Sequence, residues 1–111
     1  MLKPGQYEVV AYQRRPGDSP YWDWLSALDA KTRVRIDGRV RRMTQGQFGD
    51  YKRIDSNLYE LRLFFGPGYR VHFGDYKGRM ILLWAGGDKS TQGGDIRMAR
   101  QYWKNYLENY P

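Results

Sequence analysis

The sequence predicts an α+β domain: a strand, two helices, three or four strands and a last helix, with an antiparallel meander packed against the helices. Three stretches carry that prediction. Residues 58–73, LYELRLFFGPGYRVHF, read as two strands joined by Gly66-Pro67-Gly68. Residues 79–85, RMILLWA, are apolar on both faces, as a strand covered on two sides should be. From Asp95 onward, Ile96, Ala99, Trp103, Tyr106 and Tyr110 recur at three- and four-residue spacing, with Leu107 beside them, which is the stripe of an amphipathic helix. The 111 residues fit a single domain spanning 1–111. A chain of that size buries about two-thirds of its unfolded surface, enough for one core without staples.

In chain order, residues 6–12, QYEVVAY, alternate well enough for a first strand. Residues 14–20, RRPGDSP, form a loop by their Pro and Gly content. Ser19-Pro20 starts a helix, with Ser as N-cap and Pro at the first helical position. Trp22, Leu25 and Leu28 supply its apolar stripe. Asp29 is placed to cap a second helix over 30–44, in which Val34, Ile36, Val40 and Met43 alternate with Lys31, Arg33, Arg35, Arg39, Arg41 and Arg42. Gly38 in its middle costs about 1 kcal/mol against alanine and suggests close approach of another backbone. Residues 45–50 form a loop, 51–55 a short edge strand, and Ser56-Asn57 a turn into the hairpin. Another turn covers 74–78. After the apolar strand, 86–94 read as a polar, Gly-rich loop, a place where functional residues often sit. It lacks the glycine-to-lysine spacing of a nucleotide-binding P-loop. Asp95 opens the last helix, and the helices are expected against one face of the sheet.

Lys and Arg total 19 against 12 acids, a net charge of +7 with pI near 9.8. A small basic domain commonly meets nucleic acid, the ribosome or an acidic protein. Aromatic residues are 16% of the chain; most are needed for the core, and the surplus could stack on bases. The absence of cysteine rules out disulfides and thiolate metal sites, and fits a reducing compartment. The start, MLKPGQYEVV, has no apolar leader segment, and the run 80–85 is far short of the ~20 residues of a membrane helix. A soluble, cytoplasmic protein with no membrane segment is expected.

Strand period 2 divides the hairpin into two faces. Tyr59, Leu61, Leu63, Phe65, Tyr69, Val71 and Phe73 form one. Glu60, Arg62, Arg70 and His72, the chain's one histidine, share the other. Two arginines and a histidine on an open sheet face suit a phosphate-rich ligand. An ordinary cross-strand ion pair on a solvated face is the alternative. The Arg-rich second helix is likewise either a solvated face or a docking surface.

The element order, together with LYELR, GYRVHF and ILLWAGGDKSTQGGDIRMARQYW, resembles the RelE/ParE superfamily of toxins from toxin–antitoxin pairs, and most of all its phage-derived, HigB-like "addiction module killer protein" branch. There a strand L-(W/Y)-E-L-R is followed by Y-R-(V/I), an apolar strand, a G-F-x-K-K-T-Q-like loop and a helix with an early Ala. Leu58-Tyr59-Glu60-Leu61-Arg62, Tyr69-Arg70-Val71, Asp95-Ile96 and Ala99 match. Gly87 replaces the Phe of the loop and Ser90 its second Lys. The compact Tyr, His or Lys cluster that ribosome-dependent nucleases often carry near the chain end is reduced here to Lys104, Tyr106 and Tyr110.

The resemblance implies a growth-inhibiting toxin that either cuts messenger RNA in the ribosomal A site or poisons DNA gyrase. Cleavage by attack of a 2′-OH needs a base, cations for the phosphorane-like charge, and an acid for the leaving 5′-oxygen. Arg62 and Arg70 are the candidates for phosphate and transition-state charge. His72 is a candidate acid or base, though a lone histidine on a strand is more often structural. Lys52 and Lys89 are the other family-like cations and complete the catalytic candidates, a lysine serving as base where neighbouring cations depress its pKa. Tyr51, Arg53, Tyr76, Lys77 and Arg79 are candidate RNA contacts. Neither a metal nor a cofactor is expected. The implied partners are a cognate antitoxin, of helix-turn-helix type, the ribosome and messenger RNA. A gyrase inhibitor and a non-catalytic nucleic-acid-binding module are the competing readings.

Overall fold

The run Met80–Asp88 lies inside a five-stranded sheet with both of its faces covered. The structure, a computed structural model, describes residues 2–109. Its elements are β1 (Glu8–Ala11), α1 (Pro20–Ser26), α2 (Ala30–Arg42), a 3-10 turn (Met43–Gln45), β2 (Tyr51–Asp55), β3 (Leu58–Leu63), β4 (Tyr69–Tyr76), β5 (Met80–Asp88), a second 3-10 turn (Lys89–Thr91) and α3 (Gln92–Asn109). The expected α+β architecture is present. The sheet order is β1-β5-β4-β3-β2. Strands β2 to β5 form the antiparallel meander, but β1 lies parallel to β5, from Glu8 beside Met80 to Ala11 beside Leu83. The sheet is therefore mixed. No hairpin ties β1 to its neighbour, so nothing local sets their relative direction.

The expectation of helices on one face is also corrected. One core joins Tyr21, Leu25, Ile36, Val40 and Met43 of the α1–α2 side to Tyr59, Leu61, Leu63, Val71, Phe73, Ile81 and Leu83. A second joins Ala99 and Tyr102 of α3 to Tyr12, Leu58, Leu82 and Trp84. Odd and even residues of β5 feed opposite cores, which is why RMILLWA has no polar face.

Ser19 caps α1 as its sequence suggests, its Oγ accepting from the Trp22 N–H at 3.2 Å. The buried seam of α1 is Tyr21 and Leu25, while Trp22, one residue round the helix, is 53% exposed. Asp29 occupies the N-cap of α2 without a side-chain capping bond. Ile36, Val40 and Met43 are buried at spacings of four and three, and Val34, two residues and so about half a turn from Ile36, is 72% exposed. Gly38 does not admit a neighbouring backbone: nothing lies within 4 Å of where its Cβ would be. In α3 the stripe runs through Ala99 and Tyr102, with Ile96, Trp103 and Tyr106 half-buried and Leu107 exposed; Tyr110 lies outside the described residues.

Two turns are shorter than their composition suggests. Gly74 pairs with both Leu58 and Leu82, so β4 continues to Tyr76 and the turn narrows to Lys77-Gly78, both with positive φ. Gly86 and Gly87 belong to β5, and α3 begins at Gln92, three residues before Asp95. A Cβ at Gly86 would enter the Trp24 ring, and one at Gly87 would meet the Asp95 carboxylate and Thr91. These glycines let side chains pack directly on the strand backbone rather than marking a loop.

Candidate functional site

The β3–β4 register sets Glu60 opposite His72 and Arg62 opposite Arg70. Their side chains therefore share one face, as period 2 requires. That face is not open. Glu60 and His72 are completely buried, because α3 crosses this side of the sheet and its first residue, Gln92, reaches down to Glu60.

The Glu60 carboxylate is the centre of the cluster. Its Oε1 accepts from Arg62 Nε at 3.0 Å and lies 3.5 Å from Arg70 Nε. Its Oε2 is 3.0 Å from His72 Nε2. The Gln92 amide donates to both oxygens, at 2.9 and 2.8 Å. Burial alone pushes the Glu60 carboxyl up, but the hydrogen bonds from His72, Gln92 and Arg62 outweigh it and hold the group at about 2. Glu60 is thus an anion at neutral pH. An ionised carboxylate only accepts hydrogen bonds, so His72 carries a proton on Nε2. His72 Nδ1 and Arg70 Nε are buried without a hydrogen-bond partner among the described residues.

Accessibility falls steeply from arginine to glutamate. The Arg62 side chain is 27% exposed and that of Arg70 12%, against zero for Glu60 and His72. Arg70 Nη1 donates to the Gly68 carbonyl oxygen at 2.8 Å, which ties the guanidinium to the β3–β4 turn. Lys89 lies against the same turn. Lys52 is exposed on β2, in register with Glu60. The arrangement can offer cationic N–H groups to an anion from Arg62 and Arg70. The buried His72 touches no solvent and so has no access to a substrate.

The other candidate residues lie elsewhere. Tyr51 pairs with Leu61, and its ring packs edge-on against Phe48 and Tyr59 on the α1–α2 side, away from Glu60. Arg53 is exposed opposite Tyr59, with Nε donating to the Asp55 carbonyl oxygen at 3.2 Å. Tyr76 packs edge-on against Trp103 and Tyr106. Lys77 lies in the β4–β5 turn and Arg79 just after it, at the far end of β4 from Arg70, about 20 Å away at strand rise. Much of the Arg-rich helix is engaged internally. Arg33 donates to the Leu28 carbonyl oxygen at 2.7 Å, Arg35 lies 3.7 Å over the Phe65 ring, and Arg41 pairs with Asp37 at 2.7 Å. Arg39 donates to the carbonyl oxygens of Arg62, Phe48 and Asp50, fastening α2 to the start of the meander.

Gln92 was not among the residues singled out from the sequence. Its signal was its place in GGDKSTQ, read there as part of a loop. Among the described residues there is no cluster of three His, Cys, Asp or Glu able to hold a metal, and no helix long and apolar enough to cross a membrane.

No established family model matches the chain. An uncharacterized protein of Haemophilus influenzae is 41% identical over 78 residues, a match covering 69% of this chain and 79% of that protein. At that identity and coverage, the chain belongs to the same family as the Haemophilus influenzae protein.

Proposed function

We propose that this protein is the toxin of a toxin–antitoxin pair, acting in the cytoplasm as a metal-independent, ribosome-dependent messenger RNA endonuclease. The observation that carries the reading is the convergence of Arg62 and Arg70, the basic positions of the family-like LYELR and GYR motifs, at one end of the sheet. Their guanidiniums are set to hold the scissile phosphate and the charge that grows on it as the 2′-hydroxyl gives its proton to a base and attacks, and as the P–O5′ bond breaks and the departing 5′-oxygen takes a proton from an acid, both lying outside the arginine pair. Lys89 beside the Gly68 turn and Lys52 on β2 flank them and steer the RNA backbone. His72 acts from behind the arginines rather than as a proton donor to RNA. The net charge of +7 suits a ribosomal target. A cognate antitoxin, of helix-turn-helix type, is the partner that keeps the activity in check.

A second reading is a non-enzymatic inhibitor that binds a protein target such as DNA gyrase. It is favoured by Phe64 and Val34, the two most exposed large apolar side chains among the described residues, which line one cleft with Arg35, Arg42 and Leu63. Controlled expression separates the two. The nuclease reading expects amino-acid incorporation to stop within minutes without a DNA-damage response, and Arg70→Ala to relieve the arrest. Continued incorporation alongside DNA damage selects the gyrase reading.

A further inference from the structure

We propose that Glu60 is a positioning residue which, aimed by Gln92, holds Arg62 and Arg70 together as one phosphate clamp. The inference rests on the nuclease reading for its ligand but not for its geometry. Arg62 and Arg70 are direct cross-strand partners. Like charges in that position repel, and long, flexible side chains would splay into solvent. Here they do not, because one carboxylate oxygen, Glu60 Oε1, faces the Nε of both, at 3.0 and 3.5 Å.

Three features suit this role better than that of an ordinary ion pair. Arg62 is hydrogen-bonded through Nε and Arg70 is ion-paired through Nε at 3.5 Å without a hydrogen bond, leaving terminal Nη groups of Arg62 available to phosphate oxygens. The anion is sealed while the cations are partly exposed, so an approaching phosphate meets guanidinium and not carboxylate. The carboxylate is itself fixed from two sides. Gln92 bridges both of its oxygens and His72 Nε2 holds Oε2, so neither oxygen is free to swing away from the arginines. Because Gln92 is the first residue of α3, the clamp also couples the helix to the sheet. Glu60 and His72 cannot touch RNA in this arrangement, so their effect reaches the reaction through the arginines.

The test uses the full chain with Glu60→Gln, which keeps shape and removes charge, and with Gln92→Ala, which leaves the charge but frees the carboxylate. Three readouts are taken on each: the Arg62 and Arg70 Nε–H signals in 1H–15N spectra, affinity for a short single-stranded RNA at several salt concentrations, and the single-turnover cleavage rate on messenger-loaded ribosomes. The Arg62 Nε–H signal should move towards that of a freely exposed arginine in both variants as its hydrogen bond to Glu60 is lost, and the Arg70 signal should shift as its ion-pair partner is neutralised or freed. Cleavage should fall by about 10- to 100-fold. RNA affinity should hold in Gln92→Ala and hold or rise in Glu60→Gln, which gains net positive charge. Loss of fold would lower affinity and rate together, so this split separates positioning from mere structure. If Glu60→Gln does not fold, Gln92→Ala carries the test. A folded variant that keeps either the wild-type Nε–H signals or the wild-type rate overturns the proposal. If the wild-type protein cleaves nothing, the nuclease reading falls by itself, and unchanged Nε–H signals in a folded variant overturn the positioning inference separately.

Discussion

Replacing Glu60 by glutamine should cost stability at neutral pH and progressively less as the solution is acidified. The folded protein holds the Glu60 carboxyl at about 2, against an ordinary value of 4.5. At ~1.4 kcal/mol per pH unit, that difference is worth about 3 kcal/mol of stability. The sign follows from the lowered value. The contribution is fully present above pH 4.5 and is lost as pH falls towards 2, where folded and unfolded chains are both protonated. The groups around the carboxylate are the charged Arg62 on its own strand, Arg70 on β4 and Lys52 across on β2, with the His72 imidazole on β4 and the neutral amide of Gln92 on α3. Glutamine at this position does not titrate. Urea unfolding followed by the fluorescence of the four tryptophans, run on both proteins from pH 7 to 2.5, gives the gap between them. It should be about 3 kcal/mol at pH 7 and shrink to less than about 1 kcal/mol at pH 2.5. The comparison cancels Asp18 and Asp88, whose carboxyls are also held below the ordinary range, Asp18 chiefly by Arg14 and Asp88 chiefly by Ser90. A gap of the same size at both ends of the range would refute the account of Glu60 as a buried, multiply bonded anion.

Three further substitutions test the packing. Gly86→Ala drives a methyl group into the Trp24 ring and should lower stability by about 1–3 kcal/mol, read from the urea midpoint. Gly38→Ala meets open space inside α2 and should raise stability by roughly 0.5–1 kcal/mol. Phe64→Ser, at a side chain 74% exposed, should change the unfolding free energy by no more than about 0.5 kcal/mol; a larger loss would mean that the ring is packed.

Period 2 made the hairpin's two faces legible before any coordinates, because side-chain alternation in a strand is a local property. Arg62, Arg70 and His72 did fall together, with Glu60 among them. What was not legible was the cover. Gln92 meets Glu60 across 32 residues, and no local pattern encodes a contact of that range. A signal was nonetheless present in RMILLWA: a strand apolar on both faces needs a layer on each, which contradicts helices on one side only. The glycines misled for a physical reason. Glycine is depleted in strands, so Gly86-Gly87 reads as a loop, yet the missing Cβ is what lets Trp24 and Asp95 press against β5. Helix faces were read correctly at Ile36 and Val40 but not at Trp22 or Val34. Hydrophobicity alone does not say which of two neighbouring apolar residues turns inward. The candidate RNA contacts scattered for a similar reason. Tyr51 and Tyr76 are aromatic residues the cores could use, and the cores took them.

The proposed ribosome-dependent nuclease stands or falls on Arg62 and Arg70 as a phosphate-contacting pair. Mapping the 5′ ends of a defined messenger on purified translating ribosomes tests it most directly, with wild-type protein, Arg70→Ala, and messenger lacking ribosomes compared side by side. New ends are expected within the A-site codon, dependent on the ribosome, unaffected by chelation of divalent metal from the added protein, and absent with folded Arg70→Ala. Intact messenger with the folded wild-type protein, or cuts that persist undiminished with Arg70→Ala, would contradict it.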